Sequence, residues 1–177
     1  MDSEDDFFRP SPLSLYRPSG LQLRVPSDAV TATLSLLCQA GSRESGLFWY
    51  GSRDASGHGT VTYVVAPRQR MSWGNYHISA QDLGEVVHRL PDDWKPLAQV
   101  HSHPGVRVEH SNYDDHMVSS HRVLSVVFPS YGRGVEPFPV GVGVHEWQDD
   151  YWHLLDFTSA QCRIVLIDGT VRVEDFR

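Results

Sequence analysis

Residues 96–116 read PLAQVHSHPGVRVEHSNYDDH, and they hold four of the chain's 10 histidines. The run PLAQVHSH (96–103) reads as a buried strand, and Pro104 with Gly105 supply a corner at its end. Ser111, followed three residues later by Asp114, is a helix-start signature, and the spacing predicts a helix from Ser111 to about His121. In a strand, residues two apart point to one face, so His101 and His103 present two imidazoles side by side with Ser102 turned away.

Two such nitrogens are the beginning of a divalent metal site. A catalytic zinc takes three protein ligands, typically His and carboxylate, and leaves a position open for water. Asp114 is the best third ligand, because it falls in the first helical turn, where the positive end of the helix favours a carboxylate. The seven residues PGVRVEH suffice to turn the strand end back towards the helix start. The pattern is therefore His-x-His-x7-Ser-x2-Asp. Capping by Ser111 and Asp114 is compatible with ligation by Asp114 but explains neither histidine. An iron facial triad usually carries its carboxylate two residues after the first histidine, whereas Asp114 lies thirteen after His101. HExxH, GxSxG and P-loop patterns are absent from the sequence. His116 and His121 read as surface residues of the helix, and Asp115 as pointing away from Asp114. His110 reads as a surface loop residue, although its place beside Ser111 makes it a local competitor for the metal.

Outward from this stretch, VLSVVFP (123–129) is a second buried strand. On the N-terminal side, LQLRV (21–25) alternates as a strand ending at Pro26. A helix over 28–40 follows, capped by Ser27 or Asp28, with Val30, Leu34, Leu37 and Cys38 at helical spacing and Gly41 as its stop. SGLFWYG (45–51) and TVTYVVAP (60–67) make a hairpin. Residues 67–78 show no period and read as a long loop. Ser79 and Asp82 cap a second helix with Leu83, Val86, Val87 and Leu90 on one face, ended by Pro91. VGVGVHEW, YWHLLDF, RIVLI and TVRVEDF read as successive antiparallel strands. The whole is an α/β domain around one sheet with about three helices, spanning 21–177. Residues 1–20, with four acids and Pro10, Pro12 and Pro18, read as a flexible arm outside the fold, with Phe7 and Phe8 as candidates for docking.

The formal net charge of −7 over 177 residues, with no Lys/Arg cluster, argues against nucleic acid or an anionic membrane as partner. Cys38 and Cys162 are too few for a disulfide framework and point to a reducing compartment. The acidic N-terminus and the lack of a long apolar run give a cytoplasmic reading. The aromatic runs Phe48 to Tyr50 and Tyr151 to Trp152 read as packing.

The pattern from His101 to Asp114 resembles the zinc site of the JAMM family, MPN (JAB)-fold metalloproteases that cleave ubiquitin and ubiquitin-like proteins from conjugates. The resemblance spans about residues 21–157 in element order. It implies a mixed, mostly antiparallel curved sheet, with one Zn²⁺ held by His101, His103 and Asp114. The family also needs a glutamate in an upstream strand after a helix, and Glu44 opens ESGLFWYG at that place, ahead of Glu85 and Glu109. By the resemblance, Glu44 would be the general base that takes a proton from the zinc-activated water and passes it to the leaving amine. Ser111 would bind the developing oxyanion or the water. His110 departs from the apolar residue the family commonly has before this serine. The implied reaction is isopeptidase cleavage, or maturation, after the C-terminal tail of a ubiquitin-like protein, with loops 67–78 and 129–139 as walls of the cleft. Its compact form resembles bacterial members, some of which sit beside ubiquitin-like conjugation enzymes in antiviral defence operons. Two alternatives are a non-catalytic MPN-type scaffold and a zinc peptidase that processes a sulfur-carrier precursor.

Overall fold

The computed structural model describes residues 9–135 and 137–177; Phe7 and Phe8 lie outside the described residues. The chain begins with β1 (Leu23–Pro26), α1 (Ser27–Gln39), β2 (Gly46–Arg53), β3 (Gly59–Ala66), β4 (Arg70–Ser72), β5 (Asn75–His77) and α2 (Ala80–Val87). It continues with β6 (Lys95–Ser102), α3 (Asn112–Met117), β7 (Leu124–Phe128), β8 (Gly143–Gln148), β9 (Tyr151–Leu154), α4 (Phe157–Arg163), β10 (Ile164–Ile167) and β11 (Arg172–Asp175). Nine strands form one sheet in the order β10-β1-β3-β2-β6-β7-β8-β9, with β11 paired to the free part of β3, and β4-β5 form a separate small hairpin.

The central strand β2 shows why the apolar run Leu47 to Tyr50 is continuous. Leu47 and Trp49 face the cluster built on α1, while Phe48 and Tyr50 face the cluster built on α2. A strand covered on both sides has no polar face to alternate with, and each large apolar side chain buried this way contributes about 1.5–3 kcal/mol. The Trp49 indole N–H donates to Thr33 Oγ1 at 2.9 Å, so α1 is fixed to the sheet through a satisfied buried polar pair. Ser79 accepts from the Asp82 amide at the start of α2, as its sequence predicts. Val86 is buried there, but Val87 turns to solvent.

Several expectations need correction. Ser27 and Asp28 lie inside α1, whose N-cap is Pro26 with no side-chain cap bond. The helix after Ser111 ends at Met117. Residues 70–77 form the β4-β5 hairpin where a loop was expected; its strands of three residues are too short to show a period. The C-terminal third is not a run of antiparallel strands. After the β8-β9 pair the chain makes a fourth helix, α4, whose cap Asp156 accepts from the Ser159 amide. It then adds β10 parallel to β1 and β11 parallel to β3. With the β1-β3 and β6-β7 ladders also parallel, the main sheet is evenly mixed, not mostly antiparallel.

Residues 9–20, expected as a flexible arm, contain no helix or strand but carry specific bonds. Arg9 pairs with Asp115 at 2.7 Å, the Tyr16 hydroxyl donates to Glu146 at 2.6 Å, and Arg17 pairs with Asp149 at 2.9 Å. Among the described residues no helix is long and apolar enough to cross a membrane.

Candidate metal centre

The end of β6 supplies the two histidines. His101 pairs in register with Gly46 of β2 on one side and Val127 of β7 on the other, and is 1% exposed. His103 lies just past the strand and is held by its backbone: its N–H donates to Phe128 O at 2.9 Å, and its carbonyl accepts from the Tyr131 amide at 2.8 Å. Asp114 arrives from α3 by a capping box. Its amide donates to Ser111 Oγ at 3.2 Å, while the Ser111 amide and hydroxyl both donate to Asp114 Oδ2, at 2.7 and 2.8 Å. The cap therefore aims the carboxylate as well as starting the helix.

The three side chains converge. His101 Nε2 is 3.1 Å from His103 Nε2 and 3.3 Å from Asp114 Oδ1, and His103 Nε2 is 3.4 Å from Asp114 Oδ2. An ion with bonds of 2.0–2.1 Å in tetrahedral geometry separates its ligand atoms by about 3.3 Å. The two imidazole nitrogens and the carboxylate, with one ligand atom each within 4.8 Å of the others, form a group that could hold a divalent cation. His103 Nδ1 donates to Arg107 O at 3.0 Å, because a carbonyl only accepts, which leaves the Nε2 lone pair of the neutral ring for a metal. His101 rests on Tyr76, ring centroids 5.5 Å apart, and the Tyr76 hydroxyl accepts from Gln99 at 3.0 Å.

Glu44 reaches the same place from β2. Extending the Gly46 to His101 register by two residues sets Glu44 across from His103, and its amide donates to Ser72 O of β4 at 2.8 Å. Glu44 as a whole is 6% exposed. Burial raises its carboxyl to about 8, against the lowering pull of His103 and with the added push of Asp114. Asp114 is the opposite case: burial acts to raise it, but His101 and His103 outweigh burial and hold it far below the usual carboxylate range. Burial lowers His101, whereas at His103 the Asp114 carboxylate overcomes burial and raises the ring. One carboxylate is thus kept charged for a cation, and its neighbour is held near neutrality, where a proton acceptor is useful.

The structure brings together His101, His103 and Asp114, with Ser111 and Glu44 beside them. Glu85 is exposed on α2, and Glu109 is an exposed residue of the 104–110 turn that accepts from the Val108 amide. His116 is exposed, and exposed His121 stacks on Trp147. His110 is not a surface residue, because its loop is drawn into the core. The residue is 4% exposed, and its ring is bonded to Asp115 and Ser125 at 2.8 Å each and stacked on fully buried His145 at 3.8 Å. Sequence reasoning also missed Tyr76 beneath His101. It missed Tyr131 as well, whose hydroxyl donates to Trp73 O at 2.8 Å and joins the 129–139 segment to the β4-β5 hairpin.

No family model matches the chain. The probable metalloprotease y4jG of Sinorhizobium fredii is 32% identical over 124 residues, covering 64% of this chain and 74% of that protein. The chain belongs to this metalloprotease family. A metalloprotease needs a metal-holding group, and the His101, His103 and Asp114 cluster is one that could hold the ion. The chain also shares its fold with the solution structure of protein DSY2949 from Desulfitobacterium hafniense, with a TM-score of 0.61. That match covers 84% of this chain and 95% of the other at 15% identity, a likeness of fold alone.

Proposed function

We propose that this protein is a JAMM-type zinc isopeptidase of MPN fold that hydrolyses the bond after the C-terminal tail of a ubiquitin-like protein. The observation that carries this reading is the His101, His103 and Asp114 triangle with Glu44 across from His103. Zinc suits a set of two imidazoles and one carboxylate at these separations, and when bound it would acidify a water and polarise a carbonyl. Glu44, close to neutral pH in its proton affinity, is suited to accept a proton from that water and deliver it to the leaving amine. The single O–H of Ser111 is directed at Asp114 Oδ2, so its first task is to orient the ligand; donating to an oxyanion would require it to turn.

The substrate reading rests on the clip between the hairpin and the 129–139 segment. Ser72 accepts from the Glu44 amide and Trp73 from Tyr131, which ties both expected walls to the catalytic glutamate. An extended glycine-rich tail has no side chains to obstruct passage between such walls. The test is hydrolysis of ubiquitin-like fusions by untagged protein, with elemental analysis alongside. About one zinc per chain, and cleavage after the tail that is lost with the metal in His101→Ala, is the expected result. Full metal with no cleavage of any tail fusion would leave a peptidase for other substrates, such as a sulfur-carrier precursor. A metal-free inactive protein would leave a binding scaffold.

A further inference from the structure

A cavity of about 320 Å³ lies away from the metal centre, and its wall includes Arg53, Arg122, Arg163, Glu146, His121 and Trp147 but none of the metal-site residues. Three guanidinium groups around one hollow are conspicuous in a chain whose formal net charge is −7. Their charges are unequally compensated. Arg163, buried, donates from Nε to both Glu146 oxygens at 3.1 Å and from Nη1 to Leu21 O at 3.1 Å. The Tyr16 hydroxyl donates to the same carboxylate, so Glu146 is saturated by these two partners.

Among the described residues Arg53 and Arg122 have no such ion-pair partner. Arg53 donates only to neutral carbonyls, Gly57 O at 3.0 Å and Arg122 O at 3.3 Å. Among the described residues no carboxylate stands within ion-pair distance of either arginine. Burial, and after it the nearby Arg163, weakens the hold of Arg53 on its proton, while Glu146 acts the other way. The parallel rings of His121 and Trp147, 3.7 Å apart, form a flat wall beside them.

We propose that this cavity is an anion site for a small phosphate-bearing molecule, with Arg53 and Arg122 as its charged donors. Two guanidinium groups with no ion-paired carboxylate among the described residues match the roughly −1.5 to −2 charge of a phosphate monoester at neutral pH, where a carboxylate brings only one charge. The volume, at the lower end of the roughly 300–1,000 Å³ usual for ligand pockets, suits a single phosphorylated sugar-sized group rather than a polymer.

The experiment is calorimetric titration of the full chain with inorganic phosphate, ribose 5-phosphate and acetate at constant ionic strength, before and after chelator treatment. The proposal expects one saturable site that binds ribose 5-phosphate more tightly than phosphate, and phosphate at least about tenfold more tightly than acetate. Chelation leaves that binding intact. Arg122→Glu, which removes a side chain that makes no hydrogen bond or ion pair among the described residues, abolishes it. Arg53→Lys weakens it about tenfold by losing the guanidinium fork, and Arg68→Ala, outside the cavity, leaves it unchanged. Absence of a saturable site overturns the proposal, as does equal affinity for acetate, loss on chelation or survival in Arg122→Glu.

Discussion

The Ser111 hydroxyl donates to Asp114 Oδ2 at 2.8 Å while accepting from the Asp114 amide, so a helix cap and a candidate metal ligand are one piece of structure. Ser111→Ala is therefore expected to act twice. Loss of the cap costs about 1 kcal/mol of stability, and the freed carboxylate lowers metal affinity about 10–100-fold. Competition against a chelator of known affinity, paired with urea denaturation, reads both. A stability loss with unchanged affinity would separate the two roles.

Glu44→Gln is expected to keep the metal, because Glu44 is not in the ligand triangle. Hydrolysis should fall about 10²–10⁴-fold, the usual worth of a positioned base. Stoichiometric metal with wild-type turnover would place the base elsewhere.

Gly46→Ala probes the support beneath His101. A Cβ at position 46 would stand 2.3 Å from Cε2 of Tyr76, whose ring packs on His101 and whose hydroxyl is tied to Gln99. Overpacking of this kind costs about 1–3 kcal/mol, and the displaced tyrosine should lower metal occupancy. Denaturation midpoints and metal stoichiometry unchanged from wild type would show that the ring moves without consequence.

His145 gives the protein an acid limit. It is fully buried with no hydrogen-bond partner for either ring nitrogen among the described residues, and burial followed by the neighbouring His110 pushes its pKa well below the ordinary value. The folded state keeps the ring neutral while the unfolded chain takes up a proton below about pH 6.5. Its contribution is thus present above that pH and lost progressively as pH falls. His145→Phe, which keeps a ring against His110, should flatten the fall in Tm between about pH 6.5 and 5. An identical pH profile would refute the assignment.

The centre was legible because its residues carry their own local geometry. A strand puts His101 and His103 on one side whatever its neighbours are, and Ser111-x-x-Asp114 caps a helix by itself. The burial of His110 was hidden because it depends on His145, Ser125 and Asp115, which no local pattern connects to it. The direction of β10 and β11 was hidden for a related reason: alternation reports which face is covered but not which way the neighbouring strand runs. Helix α4 was overlooked although Asp156 and Ser159 offered a capping pair, because the apolar run before it reads as a strand that continues.

Strand β1 is placed between β3 and β10, and its partner residues in β10 lie roughly 140 positions further along the chain. On a ribosome adding about 5–20 residues per second, β1 waits on the order of ten seconds with that side unpaired. His101, His103 and Asp114 leave the ribosome well before β10 does. The three candidate ligands are therefore synthesised while the flank of β1 that pairs with β10 is still open, so the candidate centre and the closure of the sheet belong to different stages of the protein's birth.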